Sequence, residues 1–297
     1  MSVVSSRPMR EFLWLLLSTI QLRWYVFFFL ALALWASVHQ LGGLRTALLF
    51  SWAYLVALLS ELASTRIGFP YGFYYYIEST RGQEIWVSNV PFMDSLSYSF
   101  LAYTAYALAL LIYSPLSRQG GNFQLVDTRS LRHSPAVGGL AVLFFVWIDI
   151  VVDPVALRGS RWFLGQIYGY PEEGIYFGVP LSNFLGWALV GAVIIGGFQQ
   201  IDKRLLSPRW SRENPTRGYG TALWGPLLYY LILLFNIVVT FAIGEMLLGL
   251  VDLFIYLPVT AVILVQLFTP AKLATAEDLA AHARDFPCST LARSGRK

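Results

Sequence analysis

The chain has 297 residues, of which 57% are hydrophobic and 13% charged, against about 45–50% and about 25% in ordinary soluble domains, so a soluble fold is excluded. The formal charge of +4 does not mark a nucleic-acid binder, because the basic residues fall in short loops and at the C-terminal end, where membrane topology puts them. A single cysteine, Cys288, excludes an internal disulfide, and His39, His133 and His282 are too few and too scattered for a histidine-box di-iron oxygenase.

Apolar runs long enough to cross a hydrocarbon core of about 30 Å, which takes roughly 20 helical residues, predict an all-α fold. It is a polytopic transmembrane helical bundle of about seven spans, or eight if the N-terminal segment also crosses. A transmembrane barrel would alternate apolar and polar residues in short segments, whereas Leu101 to Tyr113 and Leu227 to Phe235 are apolar on nearly every face. Residues 1–23 read as an N-terminal interfacial segment, with 9–22 as an amphipathic helix and no cleavable signal peptide evident. Spans follow at 24–40, 44–63, 93–113, 136–157, 181–199, 221–243 and 246–268. The transmembrane catalytic domain thus occupies 24–270. Residues 271–297 form a polar C-terminal tail, helical to about Arg284 and otherwise soluble and partly disordered. The chain is expected to be a multi-pass protein of the cell membrane. Fourteen of the 21 Lys and Arg residues lie on the side of the C-terminus, which is therefore expected to face the cytoplasm. The loops at 64–92 and 158–180 share the other face.

These two loops stand out. The first runs Gly68-Phe69-Pro70-Tyr71-Gly72-Phe73-Tyr74-Tyr75-Tyr76 and ends in Val90-Pro91-Phe92-Met93-Asp94. The second contains Tyr168-Gly169-Tyr170-Pro171 and Gly174-Ile175-Tyr176-Phe177-Gly178, and ends in Val179-Pro180-Leu181-Ser182-Asn183. Each closes with Val-Pro and then Asp or Asn three residues after the proline, a parallel pseudo-repeat with proline at a helix start. Tyrosine belts form at every membrane interface, but a belt does not explain clustering with Gly and Pro.

Carboxylates inside the spans carry more information. An acidic residue at a helix centre costs about 2.5–3.5 kcal/mol to insert, so Glu61, Asp94, Asp149 and Asp153 should face a cavity or a partner. Asp149 and Asp153 are i and i+4, on one helix face, and Pro154 should bend or end the helix directly after them. The bland alternative is that Asp153 only ends the helix and Asp149 is a structural acceptor. Asn236, Glu245 and Asp252 are weaker signals, with Glu245 expected in a tight interfacial turn. Gly186, Gly191, Gly196 and Gly197 are expected to let helices approach closely. The sequence contains no Gly-rich phosphate loop, dinucleotide fingerprint, Cys-x-x-Cys pair or Ser-His-Asp set, so neither a cofactor nor a metal is expected.

At these residues the chain stops being anonymous. Glu61, the Gly-Phe-Pro-Tyr-Gly-Phe-Tyr run at 68–74, Val90-Pro91, Asp149-x-x-x-Asp153-Pro154 and the Gly-Val-Pro-Leu-Ser-Asn-Phe-Leu-Gly-Trp run at 178–187 together resemble the carotenoid biosynthesis membrane protein family. Its characterised members are carotenoid hydratases of the bisanhydrobacterioruberin and γ-carotene type. The resemblance spans roughly residues 44–270. It implies a carotenoid substrate held among membrane lipid, and addition of water across the terminal isopropylidene double bond of a ψ-end carotenoid to give a tertiary alcohol.

The residues suit that chemistry, which needs a proton donor, a cavity that tolerates a tertiary carbocation, and a base to accept a proton from water. Apolar surroundings and a second carboxyl nearby favour a neutral acid, which makes Asp149, beside Asp153, the candidate acid. Asp94 lies at a helix N-terminus, whose partial positive charge favours the ionised form, and is the candidate base; separating two carboxyls in this way assigns the two roles. Tyr71, Tyr74, Trp147, Tyr170 and Tyr176 are candidates to shield the cation through their π faces. Asn183 is placed to orient the water, and Glu61 to support the network. A carotenoid carrier would use the same aromatics without converging carboxyls, a proton-coupled transporter would use the carboxyls in a relay, and an isoprenoid cyclase or isomerase would begin with the same alkene protonation. A transporter normally breaks its helices at the membrane midplane, whereas the Pro and Gly here lie mainly in loops at span ends; the sequence does not separate a hydratase from a cyclase or isomerase, nor does it give the oligomeric state.

Overall fold

The computed structural model describes residues 6–119, 122–205, 221–287 and 289–294. Cys288 and the basic residues Arg209, Arg212, Arg217, Arg296 and Lys297 lie outside them. In chain order the elements are α1 (Ser6–Leu22), α2 (Trp24–Leu41), α3 (Gly43–Ile67), β1 (Tyr75–Tyr76), β2 (Trp86–Val87), β3 (Val90–Pro91), α4 (Phe92–Tyr113), β4 (Leu116–Gln119) and β5 (Asn122–Leu125). There follow α5 (Arg129–Arg132), α6 (Pro135–Ala156), β6 (Tyr168–Gly169), α7 (Leu181–Leu205), α8 (Thr221–Ala242), α9 (Met246–Phe268), α10 (Ala276–Asp285) and α11 (Thr290–Ser294).

Seven of these helices, α2, α3, α4 and α6 to α9, are long and apolar enough to cross a membrane. Their bounds fall within a few residues of the expected spans. α1 is a separate helix that meets loop 64–92, where Ser18 Oγ donates to the Gln83 carbonyl at 2.5 Å and Ile85 N–H donates to Thr19 Oγ1 at 2.9 Å.

α4 forms the centre, with 83% of its most apolar stretch buried against 28% for α9. α2, α3, α6, α7 and α8 pack around it, and α9 lies outside against α8. The reason is legible in α4 itself, where Ala102, Ala105, Ala107 and Ala109 present almost no side chain and let neighbours close in. With no hydrophobic force between helices in lipid, interhelical hydrogen bonds matter more. Tyr103 Oη donates to Gln40 at 2.8 Å, Ser99 Oγ to the Phe50 carbonyl at 3.0 Å, and Tyr106 Oη to the Arg132 carbonyl at 2.8 Å. Large apolar side chains such as Leu185, Phe254 and Val265 point outward, as a lipid-facing surface requires.

The small residues of α7 divide. A side-chain carbon at Gly186 would lie 2.8 Å from the Pro70 carbonyl, at Gly191 2.8 Å from the Phe145 ring, and at Gly197 2.6 Å from Trp52 Nε1. These three do mediate close approach. Gly196 does not, because one residue of helix turns it by about 100° into open space, with nothing within 4 Å.

Two further expectations change. α6 does not stop at Pro154 but runs on to Ala156; the proline's missing donor falls within the last turn, where the helix is about to end. The C-terminal segment is helical to Asp285, as read from the sequence, but it is docked rather than free. A capping box between Thr275 and Asp278 starts α10. His282 bonds the Asp127 carbonyl at 2.7 Å, Asp285 accepts from Arg129 N–H at 2.7 Å, and Phe286 lies 4.5 Å from the Arg132 guanidinium. Polar composition signals exposure, and these contacts are made by polar groups.

Candidate active site

The two motif-bearing loops meet. β1 pairs antiparallel with β6, placing Tyr75 opposite Gly169 and Tyr76 opposite Tyr168, and Ile77 N–H adds a bond to the Ile167 carbonyl at 2.8 Å. Alternation along an extended chain puts residues i and i+2 on one face. Tyr74 and Tyr76 therefore turn the same way, as do Tyr168 and Tyr170, and their four rings pack edge to face or tilted with centroids 5.3–6.5 Å apart.

On one side of these rings lies a first carboxyl pair. Tyr76 Oη donates to Glu61 Oε1 at 3.2 Å and, in a shorter bond, to Asp94 Oδ2, while Ser95 Oγ donates to Glu61 Oε2. The second Val-Pro unit supplies the matching position on the other side. Asn183 Nδ2 bridges Asp149 Oδ2 at 2.8 Å and Asp153 Oδ2 at 2.7 Å. Tyr170 Oη donates to Asp153 Oδ2 at 2.9 Å, and Tyr168 Oη to Asp153 Oδ1. Asp149 Oδ1 is buried with no hydrogen-bond partner. Burial first, then the adjoining carboxyls, hold the phenols of Tyr76, Tyr168 and Tyr170 well above their ordinary range, so all three remain donors.

Between the pairs is a cavity of about 160 Å³, roughly ten times the volume that one water requires. Glu61, Asp94, Asp149, Asp153 and Asn183 line its polar end. Its other walls are mostly apolar, with Phe29, Leu101, Trp187, Ile232 and Phe235, and Tyr98 stacked on Trp187 at 4.5 Å; Ser97 and Asn236 are the further polar residues in the lining. Among the described residues no group of three or more His, Cys, Asp or Glu side chains is arranged to hold a metal.

Of the aromatics singled out by sequence, Tyr71, Tyr74 and Tyr170 line the cavity, but Trp147 and Tyr176 do not. Two residues of α-helix turn Trp147 about 200° from Asp149, so it packs on Phe144 and Tyr256 instead. Tyr176 sits in the turn closed by the Gly174–Gly178 bridge and packs on Phe177 and Phe184. Sequence reasoning passed over Tyr76, Ser95, Tyr98, Tyr168 and Trp187. For Tyr76 and Tyr168 a signal existed, since each lies two residues from a tyrosine already chosen. Glu245 stands where expected, in the turn before α9, paired with Arg158 at 3.1 Å and with Arg161.

The loops are pinned from outside by a buried ion pair. Arg23, between α1 and α2, grips Glu84 with Nε–H to Oε2 at 2.9 Å and Nη2–H to Oε1 at 2.7 Å, and its Nη1–H reaches the Leu164 carbonyl at 3.1 Å. One guanidinium thus ties loop 64–92 to loop 158–180.

The chain is 30% identical over 171 residues to the bisanhydrobacterioruberin hydratase of Haloarcula japonica. The match covers 57% of this chain and 50% of that protein, so it spans about half the relative's length. No solved structure matches. Residues 20–267 match the family model described as carotenoid biosynthesis protein, a stretch that holds all seven long apolar helices almost whole together with both loops, and the chain belongs to that family.

Proposed function

We propose that this protein is a carotenoid hydratase of the cell membrane, adding water to the terminal isopropylidene double bond of a ψ-end carotenoid by acid–base catalysis. The observation that carries this reading is the single cavity with two separate carboxyl pairs at its polar end and aromatic walls beyond. An apolar polyene end fits the walls, and a hydration needs two proton-handling groups on the same alkene.

Asp149, with one oxygen free of partners, gives its proton to the CH carbon of the terminal alkene. The π bond breaks, a C–H bond forms, and positive charge is left on the carbon bearing two methyl groups. Tyr74 and Tyr98, which line the cavity, offer π faces to that cation, each contributing about 0.5–2 kcal/mol when desolvated. A water oxygen forms the C–O bond and its surplus proton passes to Asp94. The proton then returns to Asp149 through the intervening phenols and solvent, so that one water is consumed and no electron is gained or lost. Asp153 accepts from Tyr168, Tyr170 and Asn183 across both of its oxygens and serves to fix Asn183, which orients Asp149. Glu61 steadies Tyr76 and with it Asp94.

A cyclase or isomerase starts from the same protonation and differs only in the fate of the cation. The polar end of the cavity favours hydration, because it offers the cation room and acceptors for a water. In cells producing lycopene, expression of the chain is expected to yield a pigment heavier by one water, read by chromatography and mass spectrometry. An isomeric product of unchanged mass would replace this reading with cyclisation or isomerisation. Unaltered lycopene recovered bound to the protein would replace it with a carrier.

A further inference from the structure

A second cavity, of about 150 Å³, lies at the other end of the bundle and has the opposite character. Arg45, Arg129, Arg132, His133, Asp202 and Lys203 line it, with Phe286 closing one side. Arg45 and the carboxyl-cavity residue Glu61 share α3 and stand about 24 Å apart at ~1.5 Å per residue, so the two cavities open toward opposite membrane faces. The lining comes from the first turn of α3, the segment leading into α6 and the last turn of α7. Those helix ends meet at the depth of lipid headgroups.

Positive charge is in excess here: Arg45, Arg129, Arg132 and Lys203 share the lining with one carboxylate, while Asp127 stands behind Arg132 and Asp285 accepts from the Arg129 backbone N–H. The one carboxylate in the lining, Asp202, is used on both oxygens: Arg45 Nε donates to Oδ1 at 2.7 Å and His133 Nε2 bonds Oδ2 at 2.8 Å. Arg132 is held from behind by Asp127 and by the Gln40 carbonyl, and lies over the Phe286 ring. Arg129 is different, because its Nε is buried with no acceptor. Lys203 is exposed and makes no ion pair among the described residues. A buried guanidinium donor without an acceptor is costly, and a fork of N–H groups beside an ammonium matches a phosphate.

We propose that this cavity binds the phosphate of an anionic glycerophospholipid, with Arg129 and Lys203 making the direct contacts. The depth favours a headgroup over a soluble ion. So does the face, which carries most of the chain's Lys and Arg residues and would meet the anionic leaflet. The site does not depend on which reaction the other cavity performs.

The test uses the full chain, purified in detergent and stripped of lipid, with thermal melting and native mass spectrometry as readouts. Phosphatidylglycerol is expected to raise the melting temperature and to stay bound at least about tenfold more tightly than phosphatidylcholine. Arg129→Gln and Lys203→Gln should each weaken phosphatidylglycerol binding roughly tenfold, the loss of one charge-assisted contact. Lys203 is exposed, so its substitution reports on binding even if Arg129→Gln impairs folding. Arg118→Gln removes the same charge from the same face outside the cavity and should change affinity less than about twofold. Equal binding of the two lipids, or an equal loss in Arg118→Gln, would overturn the site. Protection by inorganic phosphate without a preference between the lipids would overturn the lipid assignment and leave a free-ion site.

Discussion

Asp149→Asn is expected to abolish formation of the water adduct, lowering turnover roughly 10²- to 10⁴-fold as the loss of a general acid does, while leaving the protein folded and its substrate bound. Asparagine keeps the shape and offers a carbonyl oxygen to Asn183, so the bridge to Asp153 survives in part and α6 retains its packing. What it lacks is a transferable proton at Oδ1, the oxygen of the Asp149 side chain that is buried with no hydrogen-bond partner. Pigment extracted with the purified variant should then be unreacted carotenoid in amounts like those of the wild type. Asp153→Asn makes the informative contrast. It disturbs an acceptor of three hydrogen bonds and should weaken activity through the placement of Asn183, with protein yield falling alongside. Undiminished product from Asp149→Asn would remove that residue from the acid role.

Glu84→Ala is expected to destabilise the protein by about 3–5 kcal/mol, the usual cost of leaving one member of a buried ion pair alone. The Arg23 and Glu84 side chains are 3% and 0% exposed, and the pair also receives Thr80 Oγ1–H. With the carboxylate gone, the guanidinium keeps the Leu164 carbonyl and the Tyr25 hydroxyl as partners but no counter-charge at this site. The double variant Arg23→Met, Glu84→Leu removes both charges and should recover most of the loss, because replacing a buried pair by apolar groups is often neutral or better. Melting in detergent measures both. A single variant as stable as the wild type would show that water reaches Arg23, and that the pair does not fasten the loops.

The helices were legible because hydropathy and length decide them directly: lipid forbids unpaired backbone, and an apolar run of span length has little choice but to be a helix. The carboxyls at positions 61, 94, 149 and 153 were legible for the same reason, since each breaks a pattern at a known cost. Which side chains share one cavity was harder to read. The clasp between β1 and β6 consists of two residue pairs, too short to leave a periodic signal, and it alone sets Tyr76 opposite Tyr168. The tyrosine spacing 74, 76 and 168, 170 did hold that information in its period of two. Trp147 was excluded in principle by the 3.6-residue period, which places it on the far side of α6 from Asp149. Docking of the C-terminal helices could not be foreseen, because the partners of His282 and Asp285 lie about 155 positions earlier in the chain.

The polar layer that holds the four carboxyls occurs at one end of the bundle only. On the reading proposed above, a polyene with two identical ends cannot have both processed in a single stay: after the first alcohol forms, the molecule must leave, reverse and re-enter. Accumulation of a half-converted pigment would then be a property of the architecture, set by how readily a newly polar end withdraws from an apolar-walled chamber.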